Sequence, residues 1–386
     1  TVLSRIAVVI DPWDYPFNGT VVSTRRFIES LTRAGYRFQL LALPGPGVAE
    51  DEAFKQLSIP GVNGIINAMK APLAKPDREK IRRLLRGCDL LHVQYPFFLA
   101  WSAIAEARSL GMPVVCSFHV QPENILQNLH LSSRTLARWL YRFLIRTIYS
   151  KATHVIAPSP FAATLLEAHG YQGPITVVSN GVPERFFSVD RQPPRSRKLV
   201  LSVGRLAKEK QQDTLLRAVA LSRHRAELDV VLAGVGPREA SLQRLAEELG
   251  VRARIGWVDD DELLSLYGKA DLFVHAGTIE LEGMSVLEAM AAGNAVVVSD
   301  SAESACAALI HEANARFAMG EAADLAALID YWMDHPDARL SQGCCNRQFA
   351  QAHAHDKTSQ KLMRFYDEML AEDLGEGKTP PLTGTL

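Results

Sequence analysis

The sequence predicts an α/β protein made of two doubly wound, Rossmann-like parallel-sheet domains facing each other across a cleft, and three observations carry that prediction. The chain has 386 residues, more than one ordinary core accommodates when domains run to roughly 100–200 residues. Short β-branched runs alternate with longer amphipathic stretches, and the series occurs twice. Between the two lies Asp190-Arg191-Gln192-Pro193-Pro194-Arg195-Ser196-Arg197, polar and proline-bearing, which neither a strand nor a helix continues through easily.

In the first series, residues 5–11, 38–43, 90–94, 113–118, 154–157 and 175–178 read as strands. They are apolar without two-residue alternation, as suits parallel strands buried on both faces, with the helical stretches between them as right-handed crossovers. The second series repeats the pattern at 198–203, 229–233, 253–256, 271–275 and 295–299, with helices near 213–221, 237–249, 260–268 and 284–292. The expected domains are 1–184 and 185–359. Residues 375–386, rich in Gly, Thr and Pro, are expected to be disordered.

Composition excludes more than it names. Forty-two basic and 43 acidic residues leave a net charge of -1, so global charge points to no partner, and neither a basic balance nor a motif supports nucleic-acid binding. The five cysteines, Cys88, Cys116, Cys306, Cys344 and Cys345, form no C-x-x-C pattern, and a reducing cytoplasm is the expected home. No apolar run approaches the ~18–20 residues of a membrane span. Any membrane contact is therefore expected from the surface, as a peripheral protein on the inner face.

The most informative stretch runs from Glu280 to Gly293, a loop entering a helix after the 271–275 strand. Backbone amides of Gly283, Met284 and Ser285 at a helix start, with the helix dipole behind them, suit a diphosphate, and glycine permits close approach. With Glu280 in the loop and Glu288 two turns into the helix, the carboxylates flank that site and accept from the hydroxyls of a sugar and a ribose. The plain alternative is solvated charge at Glu280 and Glu282, with Glu288 on a helix surface.

This stretch resembles the E-x7-E segment of glycosyltransferase family 4, retaining enzymes of the GT-B fold. The resemblance extends to Gly204-Arg205 and Lys210 after the 198–203 strand. It implies that Arg205 and Lys210 hold the donor diphosphate, that no metal is needed, and that no cofactor acts beyond a nucleotide-sugar donor, UDP favoured over GDP. Two fixed cations stabilise the leaving diphosphate as its charge grows. Asn180-Gly181-Val182 and Ala233-Gly234-Val235-Gly236-Pro237 are similar to the family's hinge-proximal and nucleobase turns. By the same resemblance a helix at about 360–373 crosses back to the first domain.

On the acceptor side, Asn18 and Gly19 stand at the turn after the first strand, where the family carries Gly-Gly or Asn-Gly; a small residue lets the loop approach the diphosphate and acceptor. His119, just beyond the 113–118 strand, matches a histidine that contacts the donor sugar. The family's transfer is described as a front-face attack with the leaving phosphate as proton acceptor. As general bases Asp11, Asp14 and Glu123 are near candidates, and none has a decisive spacing. Asn294 departs from the proline usual after the helix glycine, which leaves the rigidity of that turn in question.

Arg134, Arg138, Arg142 and Arg146 recur every fourth residue beside Trp139 and Phe143. Two readings fit: a helix lying on an anionic lipid surface, in keeping with family members that glycosylate membrane lipids or surface glycans, or a core helix with a solvated arginine edge. Two other functions also stand against transfer: a nucleotide-sugar epimerase of the same architecture, and a catalytically silent nucleotide-sugar-binding protein. A dehydrogenase is disfavoured by the absence of Gly-x-Gly-x-x-Gly after the first strand.

Overall fold

The computed structural model describes residues 4–15, 18–58, 72–129 and 131–376. The chain divides into two compact units. One comprises residues 1–158, 163–178 and 358–386, the other 159–162 and 179–357.

The first unit holds a six-stranded parallel sheet of β1 (Arg5–Val9), β2 (Arg37–Leu41), β3 (Leu90–Val93), β4 (Val114–Ser117), β5 (His154–Ala157) and β6 (Ile175–Val177). Their order is β2-β1-β3-β4-β5-β6. The chain reverses its direction of travel across the sheet between β1 and β3, and a doubly wound sheet opens a crevice beyond its carboxyl ends at such a point. Val8, Leu90, Val115 and Ile156 share a core with Leu362, Phe365, Tyr366 and Met369 of the helix His355–Glu376. That helix thus contributes its apolar side to the first unit. Part of the C-terminal tail expected to be disordered, 377–386, lies outside the described residues.

The second unit repeats the design with β7 (Lys198–Val203), β8 (Leu228–Ala233), β9 (Ala253–Gly256), β10 (Leu272–His275), β11 (Val296–Asp300) and β12 (Arg316–Ala318). The order is β12-β11-β10-β7-β8-β9, with the reversal between β7 and β10. Alternate residues feed opposite faces: Leu199, Leu201, Phe273, Val296 and Val298 lie in one core, and Val200, Leu272, Val274 and Val297 in the other. Both faces are buried, so the strands read as unbroken apolar runs. At ~1.5–3 kcal/mol per buried Val or Leu, these two layers are the largest favourable contribution to the unit.

β12 was not legible in the sequence. It is a three-residue edge strand with one buried side chain, Phe317, too short for any periodicity. Val182, Phe186 and Val189 belong to the second core, so the segment before the polar Asp190–Arg197 stretch packs with the second unit. Arg191, inside that stretch, donates to the carbonyls of Tyr267 and Ala270 and to Oδ1 of Asn294. Asn294 is fully buried and also donates to the carbonyls of Tyr267 and Ala289. The turn that lacks the usual proline is therefore tied down by hydrogen bonds instead.

Candidate active site

The reversal point of the second sheet gathers the residues that the sequence singles out. Gly283 is the N-cap of the helix Met284–Ala291, with φ +83° and ψ 51°. A Cβ there would meet Cys306 Sγ at 2.6 Å, so both backbone and space require glycine. The amides of the first turn have no intrahelical acceptor, which leaves Met284 and Ser285 presenting donors at the positive end of the helix dipole.

Glu280 lies outside the helix, held by Glu280 N to Glu303 O at 3.2 Å and Ala305 N to Glu280 O at 2.8 Å. Its carboxylate is ion-paired with Lys210 Nζ and lies 3.1 Å from His275 Nε2. Burial alone would raise the Glu280 carboxyl, but Lys210 and His275 outweigh it and hold it at about 2. Burial likewise opposes a charged His275, yet Cys306 and Glu280 raise it to about 10. Lys210 is also raised, its burial outweighed by Glu280. Lys210 and His275 thus both approach one carboxylate.

Lys210 is aimed by an unusual backbone. Gln211 is the one described non-glycine residue with positive φ, at 45°, and it joins the turn Lys208–Lys210 to the helix Gln212–Leu221. Left-handed backbone costs an L-residue roughly 1–2 kcal/mol, and here that cost sits beside the charge cluster. Arg205, half-buried in the loop after β7, forms no side-chain ion pair or hydrogen bond among the described residues. Its loop lies against the 233–237 turn so closely that a Cβ on Gly234 would fall 1.9 Å from Gly204 O.

Glu288 lies in the helix and accepts from Tyr267 Oη at 3.2 Å, so it is not merely a surface charge. Glu282 overturns the solvated-charge alternative outright. It is 5% exposed, and its carboxylate accepts from the Ser179 hydroxyl, from Asn180 N and from Asn180 Nδ2 at 2.6 Å. The sequence reading missed Glu282 and His275. His275 had one available signal, its place as the last residue of β10, five positions before Glu280.

In the first unit the corresponding reversal point carries Asn18 and Gly19. Asn18 is the N-cap of the helix Gly19–Arg33, its Oδ1 accepting from Thr20 N at 3.0 Å and Val21 N at 3.2 Å. Its Nδ2 donates to Tyr95 Oη at 2.6 Å. Among the described residues a Cβ on Gly19 would meet nothing within 4 Å. His119 follows β4, with Nε2 2.8 Å from Gln94 Oε1, and burial lowers its pKa to about 4.

The three carboxylates weighed as bases stand in different surroundings. Asp11 is fully buried and accepts from Ala74 N at 2.8 Å. Glu123 accepts from Tyr141 Oη at 2.8 Å, and Asp14 lies 3.9 Å from Arg25. Among the described residues no group of three or more His, Cys, Asp or Glu is clustered as a metal site would require.

The helix Arg134–Thr147 buries Ala137, Tyr141, Leu144 and Ile145 and exposes Arg134, Arg138, Trp139, Arg142, Phe143 and Arg146. Trp139, 58% exposed, stacks on Phe143 with centroids 5.4 Å apart. Phe143 meets Trp101 at 5.8 Å, and Trp101 meets Phe98 at 6.1 Å, both exposed on the helix Phe98–Ser109. One face is core, and a second aromatic face stands in solvent among the arginines. No described helix is long and apolar enough to cross a membrane.

Two Rossmann-like sheets on one chain, with a helix start at each reversal point, are the GT-B architecture. Residues 17–186 match the family described as Glycosyltransferase Family 4, and residues 184–347 match Glycosyl transferases group 1. The chain belongs to the family 4 glycosyltransferases. It is 27% identical over 304 residues to a GDP-mannose-dependent alpha-mannosyltransferase of Corynebacterium glutamicum, covering 75% of this chain and 70% of that one. It is also 27% identical over 313 residues to an alpha-monoglucosyldiacylglycerol synthase of Streptococcus pneumoniae, covering 76% and 70%. In fold it is similar to a glycosyltransferase of Rickettsia africae, with a TM-score of 0.73 at 18% identity over 96% of this chain and 99% of that one.

Proposed function

We propose that this glycosyltransferase moves a hexose from a nucleoside-diphosphate sugar to an acceptor hydroxyl with retention of configuration and without a metal ion. The observation that carries the proposal is the Lys210–Glu280–His275 cluster, set with the Gly283 helix start at the reversal of the second sheet. As the bond to the anomeric carbon lengthens, the leaving diphosphate gains negative charge. Arg205, Lys210 and the amides of Gly283, Met284 and Ser285 are suited to take it up in a site that need not reorganise. Glu280 would accept from sugar hydroxyls and Glu288 from the ribose, with His119 on the sugar as well.

Glu123 is held by Tyr141, and in the front-face route the acceptor proton is taken by the leaving phosphate oxygen. The acceptor oxygen then forms its bond on the face the diphosphate leaves, and configuration is retained. The sequence-based preference for UDP gains no support from the mannosyltransferase relative, whose name specifies GDP-mannose; UDP- and GDP-hexoses are therefore both tested. The experiment supplies each donor with lipid and glycan acceptors, with and without a chelator, and assigns the anomer of the product. Transfer that stops with the chelator and returns with a divalent cation overturns the proposal. Donor isomerised without an acceptor supports the epimerase, and no turnover in any combination supports the silent binding protein.

A lipid acceptor is favoured by one observation, the exposed ladder Phe98–Trp101–Phe143–Trp139 beside four arginines. Exposed aromatics beside cations suit an anionic interface, where each basic residue near the surface contributes about 1 kcal/mol. The protein would then act as a peripheral enzyme on the inner face of the membrane. Sedimentation with phosphatidylglycerol vesicles tests this: binding should weaken in Trp139→Ala/Phe143→Ala and in high salt. No sedimentation of the wild type at low salt removes the membrane reading.

A further inference from the structure

Behind His119, a buried chain of hydrogen bonds reaches the C-terminal helix. Gln94, just after β3, accepts from His119 Nε2 through Oε1 at 2.8 Å, and its Nε2 donates to His92 Nε2 at 3.1 Å. Ser117 Oγ, at the end of β4, lies 2.7 Å from the same His92 nitrogen. The other ring nitrogen, His92 Nδ1, is hydrogen-bonded to Tyr366 Oη, and the two rings meet edge to face at 5.7 Å. His92, Gln94, Ser117 and Tyr366 are all less than a tenth exposed.

Donors and acceptors in this chain can be assigned one by one. An amide cannot both donate and accept through one atom, so Gln94 Nε2 donating to His92 makes His92 Nε2 an acceptor. The His92 proton then sits on Nδ1 and is given to Tyr366 Oη. Gln94 Oε1 is left to accept, and only a protonated His119 Nε2 can serve it. Burial lowers the pKa of both rings, to about 3 for His92 and about 4 for His119, so each carries a single proton in the neutral range. His119 Nδ1 therefore has a lone pair, and it has no partner among the described residues.

We infer that Gln94 and His92 are positioning residues, which hold His119 as its Nε2–H tautomer so that the Nδ1 lone pair accepts from a hydroxyl of the donor sugar. The arrangement has the logic by which a ring's second nitrogen, through its own hydrogen bond, decides what the first can do. Tyr366 anchors the far end, which makes the helix His355–Glu376 part of the apparatus that orients a site residue, as well as of the core. The inference rests on the proposal that His119 contacts the sugar.

Nitrogen-15 shifts of the histidine rings in the wild-type protein read the tautomer directly, without any need for activity. His119 should show a protonated Nε2 and an unprotonated Nδ1, and a proton on Nδ1 overturns the inference. Kinetically, Gln94→Met should lower kcat about tenfold, the equivalent of ~1.4 kcal/mol. The same change in a His119→Ala background should cost less than about twofold. Additive losses would show that Gln94 acts other than through His119 and would sink the inference. A wild-type rate in His119→Ala would instead remove the sugar-contact reading on which it stands.

Discussion

Lys210 and Glu280, 70 positions apart in sequence, are joined by an ion pair at the reversal of the second sheet, where β7 and β10 lie side by side. Each is four-fifths buried, and such a pair is an expensive one, because desolvation offsets much of the attraction. Breaking a buried pair by removing one partner leaves an uncompensated charge at a cost of ~3–5 kcal/mol. A binding diphosphate would add a second anion for Lys210, which has further ammonium protons to give.

Lys210→Ala should therefore lower kcat/KM by about a hundredfold or more, the usual scale for losing one preorganised donor. It should also lower stability, since Glu280 keeps only His275. Lys210→Ala/Glu280→Gln should regain part of the stability and none of the turnover. Steady-state kinetics and urea midpoints of the two variants give the answer. A double variant as active as the wild type would show that the pair is structural only.

His275 sets a pH dependence whose sign can be worked out. Its folded pKa is raised from 6.5 to about 10, so across that window the native state holds a proton that the unfolded chain has released. Its contribution is complete below 6.5 and is lost as pH rises toward 10. Urea midpoints measured from pH 6.5 to 9 should fall, and His275→Asn should flatten the slope. Glu280, lowered from 4.5 to about 2, works in the opposite sense, its contribution being lost only as pH falls below 4.5. A slope unchanged in His275→Asn would place the proton elsewhere.

Asp11 should destabilise the fold at neutral pH. Burial raises its pKa from 3.8 to about 7, against the Ala74 amide that lowers it, and its Oδ1 has no partner among the described residues. Between those values the native state binds the extra proton, so stability declines as pH rises through the window. At about 1.4 kcal/mol per unit, the decline is on the order of a few kcal/mol. Asn in its place still accepts from Ala74 and cannot ionise. Asp11→Asn should raise the melting temperature at pH 7.5 and leave it nearly unchanged at pH 4, and equal melting at both values would refute the account.

The architecture was legible because both faces of each sheet are buried, and unbroken apolar runs such as Val296–Val298 leave little else to be. Gly283 and the glutamates were legible because a phosphate site and a helix start demand certain residue types at fixed offsets. Two kinds of residue escaped. Glu282 reads as a loop charge until the fold brings Ser179 and Asn180 to it from 102 or more positions away, and no local pattern encodes such a partner. Trp139 and Phe143 stand between a core and a lipid-facing reading, because a helix must cover its sheet. Only the structure shows that Tyr141 and Leu144 do the covering and leave the other two in solvent.

Gly283 offers a test of how tightly the helix start is built. Alanine at φ +83° costs roughly 1–2 kcal/mol from the backbone alone, and its Cβ would stand 2.6 Å from the sulfur of Cys306, which is itself fully buried. The helix start or the thiol must shift, and a shift of the first-turn amides would misplace the donors offered to the diphosphate. Gly283→Ala should therefore lower both the urea midpoint and kcat. Adding Cys306→Ala removes the clash and leaves the backbone cost, so the double variant should be more stable than the sum of the single effects, by ~0.5–3 kcal/mol for residues in contact. Additive single effects would mean that Cys306 does not press on the cap, and that the left-handed backbone alone demands the glycine.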